Sequence, residues 1–236
     1  MKRIHFESID STNAYLKKNY HSLENLTFVS ASVQTQGKGR LDRKWESGDN
    51  NLLFSVLLKD QNYFSLTNSI SILSAYTILQ VLKDYGINDL SIKWPNDVYV
   101  GDKKICGILL EAISTNVVEC LIVGIGINVN QMRFESDYIH EPTSIKRILN
   151  KDIDLDELKE NVYSKLSDNL EKLIQSYDFY EEIVKYNYLE DKEVYALIDN
   201  SKRLVKVKGI NKDYTLRVIA DGKQFDLNSG EISFHI

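Results

Sequence analysis

Apolar and polar residues alternate along this chain with two periods, and the switch between them marks its elements. Residues 27–34, TFVSASVQ, put Val29, Ala31 and Val33 on one face and Ser30, Ser32 and Gln34 on the other, the period-two pattern of a strand. Residues 51–58, NLLFSVLL, read as a largely buried strand. Over residues 66–85 Ile72, Ala75, Leu79 and Leu82 recur at helical spacing, and Gly86 is a natural stop. A hairpin is predicted over residues 90–112: a strand to Trp94, a break at Pro95, a turn at Gly101 and Asp102, and a return from Ile105 to Ala112. Strict alternation in the return strand groups Lys104 with Cys106 and Ile108, and Ile105 with Gly107 and Leu109. Residues 117–130 set Gly124, Gly126 and Asn128 against Val123, Ile125, Ile127 and Val129.

Other stretches read less sharply. Residues 10–20 predict a short helix started by Asp10, Ser11 and Thr12, all good N-cap residues. Residues 131–152 are polar and irregular around Pro142. Leu155, Leu158, Val162, Leu166, Leu170, Leu173 and Tyr177 then form one apolar stripe, with Asp154 and Glu157 as a capping box. That stripe suits a core helix, although its heptad-like spacing would also fit a partner helix. Beyond about residue 188 short alternating strands are separated by turn signals at Asp199 with Asn200, Gly209, Asp221 with Gly222, and Ser229 with Gly230. They predict a small barrel appended to the main domain.

Composition narrows the function classes. A net charge of −5 argues against a duplex-binding surface, which needs a basic face to replace counterions. The longest nearly unbroken apolar run, residues 120–129, is too short to span a bilayer, and the N-terminus lacks a secretory apolar core. A cytoplasmic protein is expected. Cys106 and Cys120 lack metal-ligand spacing and read as buried hydrophobes.

Against that acidic background residues 34–45, QTQGKGRLDRKW, gather Lys38, Arg40, Arg43 and Lys44 around Gly37 and Gly39, with Asp42 the single acid. Glycines let backbone amides approach an anion, and guanidinium groups fork onto its oxygens. A solvated turn would carry the same residues. Asn96 and Asp97 after the proline suit an Asx turn as well as a site, and Lys104 suits a solvated strand end. Gly124 and Gly126 leave a bare backbone strip for a flat ligand or for close packing. Together these features suit activation of a carboxylate by a nucleotide, where positioning and charge neutralisation carry the catalysis without an enzyme nucleophile.

The ordered blocks resemble the biotin protein ligase family. They are Ser11-Thr12-Asn13, Gln34, GKGR followed by Arg43, Lys44 and Trp45, KWPND from Lys93 to Asp97, KICGILLE from Lys104 to Glu111, GIGIN from Gly124 to Asn128, and a closing GEIS. The resemblance implies an α+β fold: a class II synthetase-like catalytic domain with a mixed β-sheet packed against helices over residues 1–188, and a small SH3-like β-barrel over residues 189–236. It implies that biotin and ATP, with Mg²⁺, give biotinyl-AMP, and that a lysine of a biotin carboxyl carrier protein domain then takes the biotinyl group. Ser11, Thr12, Asn13 and Gln34 would hold the biotin head group, with Gly107, Gly124 and Gly126 beneath it. Lys38, Gly39 and Arg40 would close over the acyl-phosphate, and Lys104 would neutralise charge between carboxylate and α-phosphate. Arg43, Trp45, Lys93, Asn96 and Asn128 would contact the nucleotide. Asp97 would bind Mg²⁺ with ATP or orient the attacking lysine, making Lys104, Arg40 and Asp97 the catalytic group.

Two departures from the family pattern stand out. Lys38, Leu41 and Asp42 interrupt the alternation of glycine with arginine, and Lys38 keeps the charge but loses the fork. The Ser-Thr-Asn block begins at residue 11, so a monofunctional form with no DNA-binding domain ahead of it, and hence no nucleic-acid partner, is expected. No membrane partner is expected either, and a homodimer is left open. A lipoate or octanoate ligase of related fold and a non-transferring biotin or nucleotide sensor are the competing readings.

Overall fold

The computed structural model describes residues 2–40, 43–46, 50–134, 141–198 and 201–228. Leu41, Asp42, the turn at Asp199 and Asn200, and the Ser229-Gly230 turn with the closing GEIS lie outside the described residues.

A seven-stranded mixed sheet forms the body, in the order β1-β2-β3-β7-β6-β5-β4. The strands are β1 (Arg3–Ile9), β2 (Thr27–Gln34), β3 (Leu52–Leu58), β4 (Leu90–Lys93), β5 (Asp97–Val100), β6 (Lys103–Ser114) and β7 (Val118–Ile127). Only β1 and β2 run parallel; the other neighbours are antiparallel. Helix α1 (Thr12–Asn19) lies on one face, where Leu16 meets Val29, Leu57, Cys120 and Ile122. Helices α2 (Thr67–Asp84) and α4 (Leu155–Ile174) share the other face with Phe54, Val56, Val123 and Ile125. The short helices α3 (Ile145–Leu149) and α5 (Tyr180–Ile183) sit in connections.

The predicted elements are present with ends shifted by a few residues. Helix α2 stops where expected: Gly86 takes φ +88°, its N–H donates to Lys83 O at 2.9 Å, and Ile87 N–H reaches back to Leu82 O at 3.2 Å. That pair of bonds satisfies carbonyls the helix would leave open, in a conformation that suits glycine. In α4 the apolar stripe faces the protein's own core, and Asn169 donates to Thr77 Oγ1 on α2 at 2.9 Å. The stripe ends before Tyr177, which lies past the helix and is half exposed. Asp154 caps the helix by accepting from the N–H groups of Asp156 and Glu157. Residues 141–152 are more ordered than their polarity suggests, since they hold α3, and Lys104 N–H bonds Glu141 O at 2.9 Å while Thr143 N–H bonds Lys104 O at 2.8 Å.

The C-terminal unit is a four-stranded antiparallel sheet of β8 (Glu193–Ile198), β9 (Ser201–Ile210), β10 (Leu216–Ala220) and β11 (Lys223–Leu227), in the order β11-β10-β9-β8. Its inner residues Val194, Ala196, Val205, Val207 and Val218 join the apolar core of the main sheet. Trp94 Nε1 donates to Tyr214 O at 2.7 Å and Tyr188 N–H to Ile92 O at 2.9 Å, which also covers the β4 edge. Both cysteines are free and fully buried, as expected of small hydrophobes. Among the described residues no helix is long and apolar enough to cross a membrane.

Candidate functional site

Beside α1, on its face of the sheet, a cavity of about 510 Å³ opens over β6 and β7. All seventeen residues singled out from the sequence line it: Ser11, Thr12, Asn13, Gln34, Lys38, Gly39, Arg40, Arg43, Trp45, Lys93, Asn96, Asp97, Lys104, Gly107, Gly124, Gly126 and Asn128. Phe134, Gln131 and Pro142 complete the rim from the segment after β7.

One end is neutral. Ser11 caps α1, its hydroxyl accepting from Ala14 N–H, so Thr12 and Asn13 start the helix at the cavity wall. Gln34, at the end of β2, accepts the Thr12 N–H at 2.8 Å. Asn13 lies against Gly124, where a Cβ would come within 3.0 Å of its Cγ. Ser55 and Glu111, to which no role had been given, complete this end by bonding Asn13. A clue to Ser55 was present: one hydroxyl inside an otherwise apolar buried strand must find a partner.

The other end is charged. The basic segment folds back on itself, with Lys38 bridged to Lys44, Gly39 N–H bonded to Arg43 O at 2.7 Å and Trp45 N–H to Gly37 O at 2.9 Å. It docks through Arg40, whose Nη1 donates to Asn96 Oδ1 at 3.2 Å, while Asn96 Nδ2 donates to Ile108 O at 2.6 Å. Both ends of the Asn96 carboxamide are thus engaged by the chain itself, which suits a latch better than a direct nucleotide contact. Asn128 differs, being buried with its carboxamide unbonded among the described residues.

Lys104 is not where alternation put it. A β-bulge shifts the β5 to β6 register between Val98 and Tyr99, so Cys106 pairs with Val98 but Lys104 with Tyr99. The extra residue, Ile105, moves Lys104 onto the face of Gly107, Gly126 and Asp97, away from Cys106 and Ile108. There its Nζ pairs with Asp97 Oδ1 at 2.8 Å and lies 5.3 Å from the centroid of the Trp45 ring. The bare strip differs from expectation as well. Trp45 lies over Gly126 and Gly107, where added Cβ atoms would come within 2.5 Å and 2.8 Å of the indole, so the chain's own ring covers that part of the strip.

Cations crowd around Asp97. Burial holds the Arg40 guanidinium below its usual pKa, with Asp97 opposing that shift. Lys93, 3% exposed, falls to about 8, chiefly through burial; Asp97 works against this and Lys104 adds to it. Six cationic side chains and two carboxylates, Asp97 and Glu46, line the cavity in a protein of net charge −5. An anion placed there would relieve the excess. Among the described residues no cluster of three or more His, Cys, Asp or Glu is placed to hold a metal ion.

Comparison with known proteins decides the family. The profile of the biotin/lipoate A/B protein ligase family matches residues 5–128, just over half of the chain. The chain belongs to that family. A bifunctional ligase/repressor BirA from Salmonella typhimurium is 33% identical over 135 residues, covering 56% of this chain and 42% of the relative. A biotin--[acetyl-CoA-carboxylase] ligase from Paracoccus denitrificans is 33% identical over 126 residues, 51% of each. This family member therefore spans about half or less of these curated relatives. Among solved structures, the biotin protein ligase from Aquifex aeolicus in complex with biotin and ATP superposes with a TM-score of 0.88 at 31% identity, covering 99% of this chain and 98% of that one. The ligase-family fold, a mixed sheet with helices plus a small C-terminal β unit, is thus the one expected from the resemblance.

Proposed function

We propose that this protein joins biotin to ATP, forming biotinyl-5′-AMP and pyrophosphate, and passes the biotinyl group to a lysine of a biotin carboxyl carrier protein domain. The observation that carries this reading is the single cavity with a neutral hydrogen-bonding end and a cationic end. A head group with its own donors and acceptors suits the first. A carboxylate meeting a triphosphate suits the second, where Lys104, Lys93, Lys38 and Arg40 would offset charge as the carboxylate oxygen attacks the α-phosphorus. No side-chain nucleophile is needed, because the mixed anhydride is itself the activated acyl donor. Asn128, whose carboxamide has no partner among the described residues, would contact the nucleotide. Asp97 would orient the cations and the incoming lysine. Mg²⁺ would offset charge on the phosphates, held mainly by their oxygens with Asp97 as the protein's carboxylate, a donor set typical for this ion. The acidic net charge supports action without nucleic acid, and the cytoplasm is the compartment where this reading places it.

The test is to incubate the full chain with ATP, Mg²⁺, a carrier domain and labelled biotin, lipoate or octanoate in parallel. Labelling of the carrier by biotin alone is expected. Labelling only by lipoate or octanoate would move the chain to the other branch of the family, and adenylate formation with an unmodified carrier would make it a sensor.

A further inference from the structure

Behind the neutral end lies a hydrogen-bond relay whose outer members have no assigned role. Ser55, fully buried on β3, stands 2.6 Å from Thr12 Oγ1 and donates to Asn13 Oδ1 at 2.5 Å. Asn13 Nδ2 donates to Glu111 Oε2 at 2.7 Å, and Lys17 Nζ holds the other carboxylate oxygen at 2.6 Å. An ionised carboxylate can only accept, so Glu111 determines which end of the Asn13 carboxamide is nitrogen. The Asn13 oxygen then takes the one Ser55 proton, and Ser55 must accept from Thr12. A 3.1 Å contact from Thr12 Oγ1 to Gln34 Oε1 competes for that proton at longer range. Gln34 already accepts the Thr12 N–H at 2.8 Å, which leaves its carboxamide nitrogen without a partner among the described residues.

The direction of the relay fixes what the cavity sees. Thr12 presents an oxygen lone pair, while Gln34 and Asn13 present N–H groups. A cyclic urea can meet that set: one of its N–H groups would donate to the Thr12 oxygen, and its carbonyl, with two lone pairs, would accept from the Gln34 and Asn13 N–H groups. We propose that Ser55 and Glu111 are positioning residues that set this donor and acceptor polarity, so that the carboxylate of Glu111 selects for a urea head group through three intervening side chains. The inference rests on the reading that the protein activates biotin.

The experiment measures biotin-dependent ATP–pyrophosphate exchange by the full chain, wild type against Glu111→Gln, with biotin and with its cyclic guanidine analogue 2-iminobiotin. Glutamine keeps the shape but can donate, so the relay loses its unique direction, while Lys17 is half exposed and readily solvated. Biotin KM should rise about tenfold, the loss of roughly one hydrogen bond. ATP KM and kcat should stay within about twofold, and the preference for biotin over the analogue should shrink. Ser55→Ala should show the same split, and Glu111→Gln decides the matter if that variant misfolds. Unchanged biotin KM and preference in Glu111→Gln, or equal losses for biotin and ATP, would overturn the inference alone. Absence of biotin-dependent exchange in the wild type would overturn the functional reading and the inference with it.

Discussion

At the neutral end of the cavity Thr12, Ser55, Asn13 and Glu111 bond one another in a line, whereas at the charged end Lys38, Arg40, Arg43, Lys44, Lys93 and Lys104 line the wall with two carboxylates among the described residues, Asp97 and Glu46. The first arrangement is held by its own bonds before a ligand arrives, which fixes the groups it turns to the cavity. The second carries excess charge, and burial already depresses the Arg40 and Lys93 pKa values. In the proposed reaction selectivity and activation fall to different elements: α1, β3 and the later part of β6 for one, β4, β5 and the start of β6 for the other. Variants at the two ends should fail in different ways.

The largest effect should come from Lys104→Ala, which removes the cation that the proposed reaction sets beside the carboxylate and α-phosphate. Adenylate formation should fall by about a hundredfold to a thousandfold, the usual loss for a charge-stabilising donor. Its melting temperature should shift little, since Lys93 and Arg40 remain near Asp97; a collapse of the fold would mean that the ion pair is structural. Gly124→Ala should act at the other end, because the new methyl displaces the Asn13 carboxamide. A biotin KM raised about thirtyfold is expected, with roughly 1–3 kcal/mol of stability lost to overpacking. If ATP KM rises equally, the two ends are not separable.

Lys93 gives a pH signature. Its folded value of about 8 lies below the ordinary 10.4 of a free lysine, so between those values the unfolded chain binds more protons and stability rises with pH. The penalty of burying the charge is complete below pH about 8 and fades above it. Chemical denaturation of wild type and Lys93→Met should therefore give a gap that narrows by on the order of 2 kcal/mol from pH 7.5 to 10. A constant gap would place the amine in a solvated setting. In activity the sign reverses: kcat/KM for ATP should decline above pH about 8 as the free enzyme loses this cation. The smallest effect is expected from Asn96→Ala, which unlatches Arg40 and lets adenylate escape. Labelling of bystander lysines should rise about threefold, the loss of a single long hydrogen bond.

Periodicity made β2, β3, α2, β7 and α4 legible, because each buries one or both faces. Strand β1 went unread although Ile4 and Phe6 mark its inward positions, since Arg3, His5 and Glu7 interleave with them at a sheet edge. The face of Lys104 was misread for a different reason. Alternation assumes an unbroken ladder, and the bulge at Ile105 is set by pairing with β5 rather than by local composition. The residues singled out at the cavity were recognisable as motif blocks, yet the roles of Ser55 and Glu111 were not, because their partners lie 42 and 98 positions away in sequence. Nor could spacing alone show that Trp45, rather than a ligand, covers Gly126. In each case the missing information was a contact across strands.

The most direct test of the division between a selective end and an activating end is single-turnover pyrophosphate release from ATP, with and without biotin, by wild type and Lys104→Ala. The account predicts biotin-dependent release by the wild type and a loss of at least about a hundredfold in the variant, with biotin binding retained. Release that ignores biotin, or that survives undiminished without Lys104, would contradict it.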